Sequence, residues 1–585
     1  MKQISLILIS LFFGQKSLIA QVDWLTQTEE FYNGTNFEGR AIGNSLASDG
    51  LNNVYVVGEY DGLTTFDTIS IADGDGPLYL AKYDDNGDIQ WVNPIDGNSN
   101  NKTSSVVVDG NGNAIILGEY RHTNANTILN FGTLSLTGNI RFSGFIAKCD
   151  PDGNWVWANR MLASTGSGSF VNPVDMVTMP GGDVIVIGHL ENPVEIDGQL
   201  YNQTNDREGV FMARFDTDGN LLWFKNNESG GPFSNISVAR IEVGSAGQVY
   251  VNGSFSGEPI WGTDTLRAPE SGDHFIARFD GNGDLEWYRT QRSRGNDQHP
   301  TQFGVDAQDN VYFTFRKGGG DLLLDDVTLS GASFPGRFLL LKYNAQGDRV
   351  LMKSFARTSG QGVATGIFDE SLLVHSASNG QLFISGEYGA GTLQDYMVFG
   401  DQDSFLMPNT FIEEATHFVL SLDSEGNHLD VGFIIDQYLA SFTTGPSFKP
   451  TEICLNAAGK LLMTGEFEGI YEMGTDSLNT SILDQMFLLQ MDPDVLFDIT
   501  TGIEANDLTA SAQVYPNPSR HWLHIKLNAF PNTEFDYQLM QLDGRVVQRG
   551  QSMGQIAVHD LPAGMYSLQI NVSGRSFSRK VVIVD

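Results

Sequence analysis

The segment RFDGNGDLEW at 278–287 joins two alternating apolar–polar runs through a tight turn. Five near-copies accompany it: KYDDNGDIQW (82–91), KCDPDGNWVW (148–157), RFDTDGNLLW (214–223), KYNAQGDRVL (342–351) and SLDSEGNHLD (421–430). The turn glycines fall at 87, 153, 219, 283, 347 and 426, at intervals of 66, 66, 64, 64 and 79 residues. Self-similarity at such a period marks a repeat architecture, in which each unit buries its apolar face only against its neighbours.

A second hairpin precedes each copy and ends in an alternating strand, as in DGLNNVYVVGEY (49–60), DGNGNAIILGEY (109–120) and GSAGQVYVNGSF (244–255). Counting SNGQLFISGEY (378–388) and AAGKLLMTGEF (457–467), this element occurs seven times. Each unit therefore reads as four strands. Strand A leads into the first turn, B follows it, C is the FIAKCD type and D the NWVWAN type. Period-two alternation of Val, Ile, Phe, Tyr and Trp supports strands throughout. Between B and C lies an excursion such as TFDTISI or MGTDSL, which predicts an added small hairpin.

Strand C occurs seven times, but strand D follows only the first six copies. The missing D strand has a counterpart at the start, in QVDWLTQTEEF around Trp24. An open solenoid has no reason to keep one strand for its far end, whereas a closed ring does, since closure removes exposed edges. The expectation is an all-β chain: a seven-bladed β-propeller over 21–500, closed by its N-terminal strand, then a small β-sandwich.

In the repeated turn, Gly and Asn take positive φ at little cost, and Asp bonds to nearby backbone. The Asp-x-Asp-Gly-Asn copies also resemble short calcium loops, without the length or terminal Glu of an EF-hand. The turn is read as structural. If a metal binds there, calcium is the ion, and Asp84, Asp85, Asp150, Asp152, Asp216 and Asp218 are the oxygen ligands; no cofactor is required. Trp24, Trp91, Trp157, Trp223 and Trp287 share one slot, which predicts packing between adjacent units. Cys149 fills the slot of Tyr83, Phe215, Phe279 and Tyr343, and reads as a small buried hydrophobe rather than one half of a bridge to Cys454.

Strand directions place the short A–B and C–D turns on one face. The longer B–C excursions and D–A connections share the other, where binding would reside. The D–A segment YRTQRSRGNDQHP (288–300) clusters Arg289, Arg292 and Arg294 near His299. This patch is unusual in a chain of net charge −37; it either pairs with acidic neighbours or holds a carboxylated or sulfated sugar. Tyr438, in IDQYLASFTTGPSFKP (435–450), offers a stacking surface for a sugar, and burial of a long loop explains it equally well. The acidic balance disfavours nucleic acid and anionic membranes as partners. No His-Glu-x-x-His, Gly-x-Ser-x-Gly or P-loop motif occurs, so no catalytic residue is named.

The N-terminal segment MKQISLILISLFFGQKSLIA reads as a signal peptide over 1–20, and its apolar run is too short for a membrane span. A linker at 501–513 precedes a small β domain at 514–585. That domain carries Tyr515-Pro516-Asn517-Pro518, an Asp543-Gly544-Arg545 turn, Leu561-Pro562-Ala563-Gly564-Met565-Tyr566, and a last strand with Lys580-Val581-Val582-Ile583. It resembles the type A C-terminal sorting domain of the type IX secretion system of Bacteroidota, with Met565 where Ile or Val is commoner. The resemblance implies recognition by the outer-membrane translocon, then release or attachment to the cell surface. The turn segments resemble bacterial propeller repeats of the form FVAKYDADGNLLW; the copy at 342–351 departs by carrying Leu351 in place of Trp. That family fixes no single activity. The expected function is a noncatalytic extracellular or cell-surface propeller that binds a glycan or surface protein through its long-loop face. A secreted polysaccharide hydrolase or lyase, and a matrix or surface-layer component, are the alternatives.

Overall fold

In the computed structural model the described residues are 22–32, 37–72, 78–97, 101–121, 128–138, 142–163, 169–191, 193–201, 209–227, 235–262, 264–267, 273–293, 302–317, 322–324, 327–329, 337–359, 372–388, 395–399, 403–406, 416–434, 437–440, 447–473, 476–480, 483–493, 512–515, 520–527, 535–541, 545–562, 564–572 and 575–583. They contain strands and turns and no helix. The signal segment 1–20 lies outside them, as do Arg294, His299, Pro516, Asn517, Pro518, Asp543 and Gly544. The chain divides into two compact units, one of Leu18–Phe497 and one containing Asp498–Asp585.

In the larger unit the four-strand repeat is observed as antiparallel A–B–C–D sheets. One is Arg40–Ser48, Val54–Asp61, Leu78–Tyr83 and Ile89–Ile95; another is Asn235–Val243, Val249–Ser256, Asp273–Phe279 and Leu285–Ser293. Strand C of the last copy, Gln485–Met491, has Val22–Glu29 on its outer side, with Trp24 opposite Gln490 and Gln27 opposite Phe487. Inner A strands pack side by side. Arg40–Ser48 touches Lys102–Val108, which touches Phe170–Thr178, then Asn235–Val243, Phe303–Val305, Leu373–Ser376 and Ser447–Leu455. Ser447–Leu455 in turn touches Arg40–Ser48. The unit is thus all-β with a toroidal, propeller-like arrangement.

Strand B and strand C are buried on both faces, which explains their near-continuous apolar runs. Val54, Tyr55, Val56 and Val57 are fully buried, and so are Leu78, Tyr79, Leu80 and Ala81. The B–C excursions form small hairpins, and these add to the D strand of the preceding unit. Val194–Ile196 pairs with Trp155–Ala163, Leu322–Leu324 with Leu285–Ser293, and Asp395–Phe399 with Arg349–Ser359. The hairpin strand Thr64–Phe66 pairs with Val22–Glu29. These excursions satisfy what would otherwise be an exposed sheet edge. Cys149 and Cys454 are free thiols, and Cys149 is buried in the core slot expected of it.

The repeated C–D turn joins one unit to the next. Within the turn, the first Asp accepts backbone N–H groups from two and four residues ahead: Asp216 Oδ1 accepts from Asp218 N at 3.0 Å and Asn220 N at 2.8 Å. The turn glycine has φ between +67° and +89° in all six copies. The tryptophan of the preceding unit lies over that glycine. A Cβ on Gly87 would sit 2.6 Å from the Trp24 ring, and one on Gly219 would sit 2.8 Å from Trp157. The same indoles donate to the carbonyl of the turn's second residue: Trp24 to Asp85 at 3.0 Å, Trp91 to Pro151 at 3.1 Å and Trp157 to Thr217 at 3.2 Å. The strand C cation shares this acceptor, as with Lys82 on Pro151 at 2.8 Å. Leu351 replaces the indole over Gly426.

The smaller unit is built from two sheets. One is Ala512–Tyr515, Trp522–Leu527 and Gln555–Ala557; the other is Val546–Ser552, Phe535–Gln541, Gly564–Val572 and Arg575–Ile583. Leu523, Ile525 and Ile556 from the first share a core with Leu539, Leu568 and Val581 from the second. Tyr566 is buried, and its hydroxyl donates to the Pro562 carbonyl at 2.7 Å, closing the LPAGMY corner.

Gly219→Ala is expected to destabilise the larger unit by more than about 1 kcal/mol, since it combines a positive φ with an indole contact. Trp157→Ala should lower stability as well, and adding it to Gly219→Ala should cost less than the sum, because both break one contact. Urea midpoints of the two single variants and the double variant check this; strict additivity would dissociate the tryptophan from the glycine.

Candidate functional site

Two groups of ionisable side chains stand on the inner strands, one at their start and one along the lumen. The start of strand A and the end of strand B lie at the same face as the B–C and D–A connections. There the Gly-Glu-aromatic sequence of strand B places Glu59, Glu119 and Glu466 in equivalent positions. Arg40, which opens strand A of the first unit, reaches Glu466 at 3.5 Å and Asp484 at 2.9 Å. Lys449 holds Glu466 at 2.9 Å. Asn44 donates to Glu59 at 3.3 Å and to the Thr103 carbonyl of the next unit at 3.1 Å. Burial raises the Glu59 carboxyl above its ordinary value, against the pull of Asn44, Lys102 and Arg40. Burial raises Glu119 too, with Glu59 adding to the effect. In the third unit His189 takes this slot, and its Nε2 accepts the Val238 N–H of the following strand A at 3.0 Å.

Deeper in, the lumen encloses about 280 Å³, lined by strand A residues of six units. Arg240 extends across it to Glu452, three units away around the ring. Nη1 donates to Oε2 at 2.8 Å and Nη2 to Oε1, a bidentate pair. Asp175 lies 3.7 Å from Arg240 Nε, and accepts the Met176 N–H at 2.9 Å and the Ile241 N–H at 3.1 Å. Burial raises Glu452 above its ordinary value, although Arg240 opposes it. Glu242 and His375 face the same lumen two residues further along their strands. Enclosure by protein, reinforced by Asp175 and Glu452, pushes the Glu242 carboxyl up to about 8. Burial, then the nearby Arg240, lowers His375 to about 4.

The residues singled out from sequence are distributed otherwise. Arg289 sits on strand D, where its Nε donates to the Gly347 carbonyl of the next turn at 2.6 Å and its guanidinium lies 5.5 Å from the Trp287 ring. Asn93 and Asn159 fill the equivalent role, on Gly153 at 2.7 Å and Gly219 at 2.6 Å. Arg292 continues the same strand opposite Leu323, and Tyr438 pairs with Tyr471 in a small sheet. Asp84, Asp150 and Asp216 are bound into their own turns, accepting two backbone N–H groups each. Hydrogen bonds from the Asn220 side chain and backbone hold Asp216 below the ordinary carboxylate range. Asp85 offers its carbonyl to Trp24, while Asp152 and Asp218 supply N–H groups to the turn. Among the described residues no group of three or more His, Cys, Asp or Glu side chains is placed to hold a metal ion. In the smaller unit, Tyr515 ends a strand opposite His524, Gly564 opens one opposite Ile583, and Lys580 stands opposite Ser567.

Sequence reasoning missed the lumen group. A signal existed: strand A carries Ser45 and Ser105 where other units place Asp175, Arg240 and Glu452. Charged residues in a slot that tolerates serine mark a polar axis, but no periodicity shows which of them meet.

Residues 513–584 match the family described as the secretion system C-terminal sorting domain. The chain is 31% identical over 215 residues to an uncharacterized WD repeat-containing protein of Acanthamoeba polyphaga mimivirus; the match covers 31% of this chain and 15% of that protein. Among solved structures, it is similar to a protein of unknown function from Dyadobacter fermentans, at 11% identity and a TM-score of 0.32, covering 65% of this chain and 98% of the other. A protein of unknown function from Bacteroides caccae aligns at 12% identity and a TM-score of 0.29, covering 61% and 89%. A polysaccharide lyase of family PL25, an ulvan lyase, aligns at 11% identity and a TM-score of 0.37, covering 77% and 98%. The C-terminal domain directs the chain to the type IX secretion translocon, and so to the extracellular space or the cell surface. Among the described residues no helix is long and apolar enough to cross a membrane.

The folded protein keeps a proton on Glu242 that the unfolded chain loses at about 4.5. Stability should therefore fall as pH rises from there to about 8, and remain lowered above it. Glu242→Gln should flatten that decline, raising the melting temperature in alkali more than in acid; thermal melts across the range check it.

Proposed function

We propose that the exported chain is a seven-bladed β-propeller, closed by Val22–Glu29, that binds an extracellular glycan or surface protein through the face bearing its long connections. Three observations support the ring: the pairing of Val22–Glu29 with Gln485–Met491, the inner strands that touch in sequence and return to the first, and the use by Trp24 of the same indole-on-glycine contact as Trp91 and Trp157.

The binding reading rests on the unequal use of the two faces. One face is spent on short, self-bonded turns that fasten unit to unit. At the other stand Glu466, Glu59 and Glu119 with Arg40, Lys102 and Lys449, and Arg292 lies near the end of a D strand; Arg294 and His299, which follow it in the chain, lie outside the described residues. Alternating cations and carboxylates at a concave mouth suit hydroxyl-rich or charged sugar rings, which need donors and acceptors together. Exposed Lys102 and the two arginines, Arg292 and Arg294, are the groups assigned to a carboxylated or sulfated sugar.

Purified residues 21–500 should bind acidic polysaccharides on an array. Lys102→Ala, Arg292→Ala and Arg294→Ala together should cut binding at least tenfold, and added salt should weaken it. Binding that is unmoved by this triple change would remove the mouth from the account.

A catalytic reading has one specific support, the equivalent placement of Glu59 and Glu119 on the B strands of neighbouring units, each carboxyl raised by burial, since glycoside cleavage uses a pair of carboxyls. It predicts new reducing ends or unsaturated products from an acidic polymer, lost in Glu59→Gln and Glu119→Gln. A screen across such polymers that yields no product would leave binding alone.

A further inference from the structure

Each unit of the larger domain fastens to the next through strands C and D, and the fastening is not uniform. Strand C places a cation opposite the strand D tryptophan: Lys82 opposite Trp91, Lys148 opposite Trp157, Arg214 opposite Trp223 and Arg278 opposite Trp287. Both side chains serve the C–D turn of the following unit. Lys148 and Trp157 donate to the Thr217 carbonyl at 3.2 Å each, and Arg278 and Trp287 both donate to the Ala345 carbonyl. In the fifth unit Lys342 stands opposite Leu351 and still donates to the Ser424 carbonyl at 2.9 Å. In the sixth, built on Leu382–Tyr388, Thr416–Leu422 and His428–Phe433, Ser421 stands opposite Asp430. The cation and the indole are gone together. Ser421 is taken up within its own unit, accepting from Gln381 at 2.9 Å.

Closure by the N-terminal strand accounts for this double loss. Strand C of the last copy, Gln485–Met491, takes its outer partner from Val22–Glu29, so no turn joins strands C and D of the seventh unit. The chain leaves that strand through DPDVLFD (492–498), which carries no glycine. A ring that borrows its last outer strand from its beginning has one turn fewer than it has joints. Among the described residues, what joins the sixth unit to the seventh is an apolar layer. Phe383 and Val419 share a core with Phe448, Phe487 and Leu489, and the His417 ring stands edge-on to Phe448 at 5.1 Å. The joint between the two chain ends is the opposite case. There Trp24 donates to the Asp85 carbonyl and Arg40 to Asp484, while Gln485 reaches the Gly39 carbonyl at 2.6 Å and Thr451 the Gly43 carbonyl at 2.6 Å.

We propose that the ring parts between its sixth and seventh units, and that the N-terminal strand stays paired while it does. This rests on the reading of the larger unit as a ring closed by Val22–Glu29. A joint of apolar contacts opens at a lower free energy than one that must also give up an indole and a cation on backbone carbonyls, and local opening starts at the least fastened element. Parting there widens the axial space from one side and bares Val419 and Phe448, without releasing the strand that holds the two ends together.

Thiol accessibility in the mature exported chain tests this, in a background of Cys149→Ala and Cys454→Ala. Three fully buried strand C residues at equivalent positions report three joints: Ile146 the second to third, Val419 the sixth to seventh and Leu488 the seventh to first. Each is changed to Cys, and its reaction with N-ethylmaleimide is followed by mass under native conditions. Val419→Cys should react at least about tenfold faster than Leu488→Cys and Ile146→Cys. Equal rates, or the fastest reaction at Leu488→Cys, would overturn the proposal. Thermal melts verify folding. If Val419→Cys does not fold, hydrogen exchange in the unsubstituted chain decides: Thr416–Leu422 should exchange faster than Gly209–Phe215 and Gln485–Met491, and matching rates overturn the inference. Trp24→Ala separates the two readings. In a closed ring it speeds labelling of Leu488→Cys and leaves Val419→Cys unchanged. An unmoved Leu488→Cys would take down the ring and this proposal with it; equal rates at Val419→Cys and Leu488→Cys, with the Trp24 effect intact, remove the proposal alone.

Discussion

An indole resting on a glycine, with its N–H on the carbonyl next to it, is the contact on which the larger unit depends. The turn glycines at 87, 153, 219, 283 and 347 each receive the indole of the preceding sheet's outer strand, and Gly426 receives Leu351 instead. The contact demands two things at once. The turn needs a residue at positive φ, and the neighbour needs a flat surface with no Cβ upon it. Only glycine meets both demands at 87, 153 and 219. The Asp that heads the turn keeps it rigid by accepting two backbone N–H groups, so the acceptor carbonyl is already aimed when the indole arrives. The acidic character of these turns is thereby explained as backbone chemistry.

The same economy governs the outer edges. A four-stranded sheet leaves its D strand with a row of unpaired backbone groups, and the chain covers part of that row with the B–C hairpin of the following unit. What reads in the sequence as an insertion is a seam. The seam uses the face that carries the B–C excursions.

Inside, the geometry imposes a different chemistry. Neighbouring A strands pack side by side around the axis, and alternate side chains line a space that Ser45 and Ser105 do not fill. Arg240 is long enough to bridge it and forked so as to grip Glu452 with both nitrogens, which couples units on opposite sides. Such a pair costs desolvation, so it adds less to stability than to fixing which strands oppose each other. Glu242, left without that partner, has its carboxyl pushed up by enclosure in the protein.

The repeat, the strand alternation, the turn and the spare strand at Trp24 were legible because each is local: a period of two, a period near 66, and a glycine where positive φ is needed. The small domain at the end was legible for the same reason, with Tyr566 and its corner carried in one short motif. Tertiary structure decided the rest. Arg289 looked like part of a binding patch because its neighbours along the chain are basic, yet its side chain acts across units, on Gly347. Arg240 and Glu452 lie 212 positions apart, and Asp175 lies in another unit again; no local pattern ties them. Sequence determined the units and how each turns, since backbone conformation is set by near neighbours. The meeting of charges on the axis belongs to the tertiary structure alone, because it requires strands from separate units to be brought around to one line.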